Sequence, residues 1–375
     1  MNGELTARQA LLVLNALPNI GPITLNRLLE ELGGDSRNVL QASVKQLESV
    51  KGVGPAISGT VANWREHFDL AREEERMAKA GADFVIQDDA AYPRMLKEIH
   101  DPPIGFYRKG KYEFDQPCIA IVGSRRTTLY GQSVAKRFAA ELARLGFCIV
   151  SGLARGIDTA AHEGALSVDG RTAAVLGCGI DIIYPPENLE LYRQIEATGA
   201  ILSEFPFGRR ADRQSFPMRN RVVAGICDAV IVVESDVNGG SMITARFAGE
   251  QGRLIYAVPG RIDQNTSAGC HQLIRDGATL LTSVDDILGE LSYLDGLRPS
   301  PIPAKPETSD QTTNAGELND AERRVMACFA GGAILSPDAV AEQTGMMAGE
   351  LSPVLMMLEL KRRLVRRLDG TWETR

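Results

Sequence analysis

Residues 118–158 read CIAIVGSRRTTLYGQSVAKRFAAELARLGFCIVSGLARGID, and this stretch decides the fold. Cys118–Val122 is an apolar run that stops at Gly123-Ser124-Arg125-Arg126. Apolar residues recur at helical spacing over Gly131–Leu145, and Phe147–Val150 is apolar again before Ser151-Gly152. Strand, small-residue turn, amphipathic helix and second strand make one βαβ unit. Strands this apolar must be covered on both faces, which points to a parallel sheet between helical layers.

The alternation continues downstream. Apolar runs at Thr172–Leu176, Ala200–Leu202, Ala229–Val233 and Leu254–Val258 are separated by helical patterns at Thr159–Leu166, Leu189–Ala197, Arg221–Cys227 and Ile243–Gln251. The predicted class is α/β: a Rossmann-like, doubly wound, mainly parallel sheet with its ligand at the carboxyl ends of the strands.

This sheet belongs to a central domain assigned to residues 66–296, opening with a charged helix at Ala71–Ala80 and a short strand at Asp83–Gln87. Asp89, Tyr92-Pro93 and Asp101-Pro102-Pro103 then form turns. Ahead of it, residues 1–65 read as a small all-α domain. Leu11, Leu12, Leu14 and Leu17 share helical spacing, Pro18-Asn19-Ile20-Gly21-Pro22 interrupts it, and Leu25, Leu28 and Leu29 resume it. A second break at Lys51-Gly52-Val53-Gly54-Pro55, about 33 residues on, points to a duplicated helix–turn–helix. Residues 297–316, rich in Pro, Ser and Thr, read as a linker. Residues 317–375 close the chain with helices near Asp320–Ala330, Pro337–Thr344 and Gly349–Lys361 and a hairpin through Leu364–Trp372, the pattern of a winged helix.

Of 375 residues, 44% are hydrophobic and 24% charged, which suits folded domains and not a disordered chain. A net charge of −7 excludes a uniformly basic DNA-coating protein and leaves room only for a local basic groove. The six cysteines form no CxxC pair and sit in or beside apolar segments, as buried thiols of a reducing cytosol do. Four widely spaced histidines give no metal-ligand pattern, so no metal and no cofactor is expected. Ala10–Leu17 lacks the flanks of a signal peptide, and no run is long enough to span a bilayer. The expectation is a cytoplasmic protein with no membrane partner.

Four constellations follow strands. Gly123, Ser124 and Arg125, with Tyr130-Gly131 before the helix, offer small residues, backbone N–H groups and a guanidinium to an anion. A tight βα turn with a surface arginine fits them equally. The second stretch, Ser151-Gly152-Leu153-Ala154-Arg155-Gly156-Ile157-Asp158, adds glycines, a hydroxyl, an arginine and an Asp at an N-cap position; His162 beyond it reads as structural, since no nucleophile pairs with it. Third, the segment from Gly208 to Arg221 sets Arg209, Arg210, Arg213, Arg219 and Arg221 against Asp212 alone. Phe216, Arg219, Asn220 and Arg221 suit a single strand, with phosphates on cations and a base on the ring; the rival reading is a solvated loop anchored by Phe216. Fourth, Gly239, Gly240 and Ser241, with Thr244, make another nest at a helix start, or plain caps. The paired N-terminal turns resemble helix-hairpin-helix motifs, which suit DNA phosphates or protein contact alike. Lys361-Arg362-Arg363 with Arg366-Arg367 can grip a phosphate backbone or complement a helix end.

In order, G-S-R…Y-G at 123–131, S-G-L-A-R-G-I-D at 151–158, F-P-M-R-N-R-V-V-A-G at 216–225, N-G-G-S-M-I-T-A at 238–245 and A-V-P-G at 257–260 resemble the DprA/Smf (DNA-processing protein A) family. The upstream Y-P…D-P-P at 92–103 fits as well. The resemblance implies a homodimer that binds single-stranded DNA, protects incoming strands and helps load RecA recombinase during natural transformation, without catalysis. It assigns Arg125 to phosphate gripping, Arg219, Asn220 and Arg221 to a basic pocket, and residues 151–158 and 239–244 to the pocket floor. Asn238 stands where the family often has Ser, and Met218 where a second cation would be unsurprising. The same core also resembles phosphoribohydrolases of the LOG type, which act on nucleoside monophosphates. Their P-G-G-x-G-T-x-x-E would place Met242, Ile243 and Arg246 at its Gly, Thr and Glu positions, leaving only Glu234 or Glu250 as a substitute carboxylate.

Overall fold

A computed structural model describes residues 4–291, 318–329, 333–367 and 369–374. The predicted linker at 297–316 lies outside the described residues. Residues 1–300 group into one unit and 301–375 into another.

A nine-stranded sheet organises the first unit. Its strands are β1 (Asp83–Ile86), β2 (Gly105–Gly110), β3 (Cys118–Val122), β4 (Cys148–Ser151), β5 (Thr172–Leu176), β6 (Ala200–Ser203), β7 (Ala229–Val232), β8 (Leu254–Ala257) and β9 (Thr279–Leu280). They lie in the order β1-β2-β6-β5-β4-β3-β7-β8-β9. Strands β3 to β9 pair in parallel, while β1 and β2 add an antiparallel edge. The chain winds outward from β3 to β6, then returns to β3's other side and winds out through β7 to β9. The reversal opens a crevice at the carboxyl ends of β3 and β7, where doubly wound sheets hold ligands.

The alternation of β3 shows why the sheet is buried twice. Ala120 and Val122 join one core with Val222, Val223 and Ala245, while Ile119 and Ile121 join the opposite core with Phe138, Leu142 and Ile157. Helices Ser215–Ile226 and Gly240–Glu250 thus cover one face, and Leu129–Arg144 and Ile157–Leu166 the other. The helix expected at Arg221–Cys227 begins six residues earlier, at Ser215. Arginines and a proline blur its apolar period, but Asp212 Oδ1 accepts from the Gln214 and Ser215 N–H groups and starts the turn. Strands β2 and β9 and the helices Asn265–Arg275 and Val284–Glu290 were not apparent in the sequence pattern.

The N-terminal helices form two hairpins, Ala7–Ala16 with Pro22–Glu31 and Val44–Glu48 with Pro55–Ala62. Asn19 (φ 63°) and Gly52 (φ 89°) occupy equivalent left-handed positions, so the asparagine serves where its repeat uses glycine. Leu12 packs with Phe84 and Tyr107, and Arg8 pairs with Asp89, so these helices share a core with the sheet edge.

In the second unit, helices Asp320–Cys328, Pro337–Thr344 and Ala348–Leu360 enclose Val325, Val340, Leu351, Leu355 and Leu358. A hairpin of β10 (Leu364–Arg366) and β11 (Trp372–Thr374) completes a winged helix. Five of the cysteines are buried free thiols and Cys328 is partly exposed. Among the described residues, no helix is long and apolar enough to cross a membrane, and no group of His, Cys, Asp or Glu suits a metal.

Candidate nucleic-acid interface

A cavity of about 530 Å³ opens at the switch point between β3 and β7. Gly123, Ser124 and Arg125 form its wall after β3, Gly152 after β4, and Ser235 and Asp236 after β7. Helix Ser215–Ile226 contributes Phe216, Arg219 and Asn220, and helix Gly240–Glu250 contributes Gly240, Ser241 and Thr244, with Gly239 just ahead. Positions 216, 219, 220 and 223 share one side of their helix, and all four line the cavity.

Arg219 is the cavity's buried cation. Its Nη1 donates to the Val175 carbonyl at 2.8 Å, while its Nε has no protein partner. The guanidinium fills the space a Cβ at Gly152 would take, so this glycine is required by close approach. Burial pushes the Arg219 pKa down from its usual value, against the pull of Asp158. Burial likewise raises the Asp158 carboxyl, opposed by Arg219 and Arg125. Arg125 is exposed, its guanidinium 4.7 Å over the Phe216 ring. Phe216 in turn sits 5.9 Å from Tyr184, a half-exposed ring in the loop after β5. Helices Gly240–Glu250 and Asn265–Arg275 both begin at the cavity, adding the positive ends of their dipoles.

Other expected residues lie outside the lining. Ser151 Oγ donates to the Ile121 carbonyl at 2.7 Å and ties two strands together. Gly156 stands behind the cavity, where the loop closes on Ser124 through the Ile157 N–H. Arg155 is exposed and paired with Glu187. Arg221 points away: its Nη1 donates to the Asp101 carbonyl at 2.7 Å, and Nη2 pairs with buried Glu204. That contact holds the Asp101-Pro102-Pro103 turn, which Tyr92 also grips through Pro103. Asp158 is not the N-cap; it stands inside the helix and accepts from the Gly152 and Ala154 N–H groups. Ser241 and Thr244 are not caps either, since Gly239 precedes the helix, and Ser241 Oγ bonds Ser235 Oγ at 2.7 Å.

Sequence reasoning missed Ser235, Asp236, Asn265 and Thr266 in the lining. The last two open a helix with no apolar period ahead of it; the polar run Gln264-Asn265-Thr266 was the available signal. Glu234 is spent on structure. Its carboxylate accepts from Thr127 Oγ1 at 2.6 Å, Thr128 N at 2.9 Å and Thr128 Oγ1 at 2.6 Å, and Gly131 leaves it room. Glu250 pairs with Arg246 on the exposed side of its helix. His162 is fully buried against Thr172 Oγ1 at 2.7 Å, its pKa pushed down to about 3 by burial.

Comparison with known proteins accords with this architecture. The family model described as DNA recombination-mediator protein A matches residues 83–292, and the DprA winged helix domain matches 306–370. Protein Smf of Synechocystis is 37% identical over 280 residues, covering 73% of this chain and 70% of that protein. The X-ray structure of DNA processing protein A from Streptococcus pneumoniae is 34% identical, with a TM-score of 0.66 over 77% of this chain and 99% of that one. The Helicobacter pylori protein, whose structure addresses its single-stranded DNA binding mode, is 32% identical, with a TM-score of 0.51 over 56% of this chain and 96% of that one. A mediator domain matched over most of the sheet, followed by its winged helix, establishes that the chain belongs to the DprA/Smf family.

Proposed function

We propose that the cavity grips the backbone of single-stranded DNA without reading its sequence, and that the protein acts as a non-catalytic carrier of such strands. The observation that carries this reading is the convergence of Arg125 and Arg219 with glycine-walled turns and helix starts in one open cavity. Guanidinium and N–H donors suit phosphates, which carry no base identity. Beyond the mouth, Tyr184 offers a ring for a base. The segment 206–212 packs on the Tyr184 loop through Gly179 N–H to Arg209 O and Gly208 N–H to Asp181 Oδ1. In that segment Arg209 is paired with Asp212, and Arg210 and Arg213 beside it are exposed cations that a longer strand could meet.

The hydrolase reading loses its carboxylate, because Glu234 is fully hydrogen-bonded within the fold and Glu250 is ion-paired. In the family setting, the carrier works as a cytoplasmic homodimer that protects incoming strands and helps load RecA during natural transformation. Two bound pockets per dimer would raise avidity on longer strands. A gel shift comparing oligo-dT with duplex of equal length at two salt concentrations tests the site. The single strand should bind tighter and weaken as salt rises; equal affinity for duplex overturns the reading. Release of adenine from AMP by the purified protein would overturn its non-catalytic part.

A further inference from the structure

The amino ends of β3 and β7 border a second cavity, of about 500 Å³, at the opposite end of these strands from the cavity that holds Arg219. The length of β3 puts about 15 Å between the two. A space of this size suits a small molecule. Pro93, Met95, Phe114, Pro117 and Ile226 give it apolar walls, and Arg94, Asp115 and Asp228 bring charge. Arg94 and Asp115 are exposed at the rim, whereas Asp228 is 8% exposed. Phe114, with φ 55°, is an aromatic residue in a left-handed conformation that such side chains seldom adopt, and it forms part of the wall.

Asp228 is under-used by the fold. Its Oδ2 accepts from the Cys118 N–H at 2.9 Å, and among the described residues no cation forms an ion pair with it. A carboxylate offers about four acceptor positions, so most of its capacity is left to the cavity. Buried acceptors without donors are costly, and a ligand that supplies donors is favoured. Burial pushes the Asp228 carboxyl up from its usual value, against the pull of Arg253 and Arg94. Arg253 stands behind the lining, where its Nη2 donates to the Met95 and Gly225 carbonyls at 2.8 and 3.2 Å. With one cation at the rim and another behind the wall, an incoming ammonium or guanidinium meets like charge. A neutral donor does not.

Apolar walls around one buried acceptor suit a flat, neutral heterocycle with N–H groups on one edge. Among the nucleobases, guanine alone presents two adjacent donors there, N1–H and the N2 amino group, which match a carboxylate. Adenine and cytosine set an acceptor beside their amino group, and that acceptor faces the carboxylate with repulsion. Phe114 and the prolines offer faces for the ring. Arg94, whose rim position is shared only with Glu98 at 3.9 Å, offers an exposed cation to a phosphate. We propose that this cavity binds a guanine nucleotide, with the base on Asp228 and the phosphate toward Arg94. The inference rests on the amino ends of the strands and is independent of the DNA-binding reading.

Titration calorimetry on the full-length chain, with excess oligo-dT present, tests it. GMP should bind, and AMP and CMP should bind at least about tenfold more weakly, the worth of one hydrogen bond to a charged group. Asp228→Asn keeps an acceptor for the Cys118 N–H but sets an amide where the carboxylate stood. It should lose GMP by a similar factor and gain xanthosine monophosphate, whose C2 carbonyl meets the amide N–H. Arg94→Ala should weaken GMP and leave guanosine as it was. No binding of GMP at millimolar concentration overturns the proposal, and so does equal affinity for AMP. GMP binding that is indifferent to Asp228→Asn would put the nucleotide elsewhere, the Arg219 cavity included, and overturns it as well. Indifference to Arg94→Ala overturns the placement of the phosphate.

Discussion

Arg219 and Arg221 stand one residue apart on the same helix and are buried to the same extent, 5% exposed each. Arg219 turns toward the cavity and keeps an Nε without a protein partner; Arg221 turns toward Glu204 and Asp101 and is fully engaged in the fold. Helix geometry sends positions i and i+2 to different sides, so adjacent cations in a basic motif do different work. A count of arginines in the 208–221 segment registers charge but not the side on which it acts.

Removing Arg221 should break this comparison most severely. Arg221→Gln leaves Glu204 buried without its cation, a loss of about 3–5 kcal/mol of stability. Urea denaturation should show it, while the fraction still folded keeps its affinity for oligo-dT. A variant as stable as the parent would mean that Asp101 and Glu204 are held by something else.

His162 lies on the structural side of the same divide. Its folded pKa is about 3, against about 6.5 when unfolded. Above pH 6.5 it is neutral in both states and adds no pH dependence. As pH falls below 6.5 the unfolded chain takes up a proton that the folded chain refuses, so stability drops by about 1.4 kcal/mol per pH unit down to about pH 3. Between pH 7.5 and 5 this amounts to about 2 kcal/mol, and His162→Gln should remove that part of the slope in paired denaturation curves.

The sheet was legible because burial on both faces leaves nearly uninterrupted apolar runs: β3 and β5 fall on the expected residues. Strand β2 escaped because Arg108 and Lys109 interrupt it, and both are anchored at the sheet's edge by Asp83 and Glu196. The cavity's glycines were legible as loops after strands. What could not be read was direction. Ser151, Arg155 and Arg221 match the motif in type, but their hydrogen bonds belong to β3, to Glu187 and to the Asp101 turn. Asn265 and Thr266 reach the cavity only through the way the last helices fold back. Such placement is a tertiary outcome with no local periodicity to announce it.

Gly152 sharpens the comparison from the cavity side. Adding a methyl there displaces the Arg219 guanidinium, which occupies that space. The loss of one charge-assisted hydrogen bond corresponds to about 1.5 kcal/mol, so Gly152→Ala should weaken oligo-dT binding roughly tenfold. Unchanged affinity would place the strand elsewhere than against Arg219.

Arg125 and Arg155 offer the finest distinction, since both are exposed and both follow a strand. Arg125 stacks on Phe216 within the cavity, whereas Arg155 is engaged with Glu187 outside the lining. Removing one cation that neutralises a phosphate should flatten the plot of log affinity against log salt by about one unit. Arg125→Ala should therefore lower both affinity and slope, while Arg155→Ala leaves the slope as it was. Equal changes in the two slopes would extend the phosphate path past the cavity mouth to the Arg155–Glu187 pair, and the opposite ranking would move it there altogether.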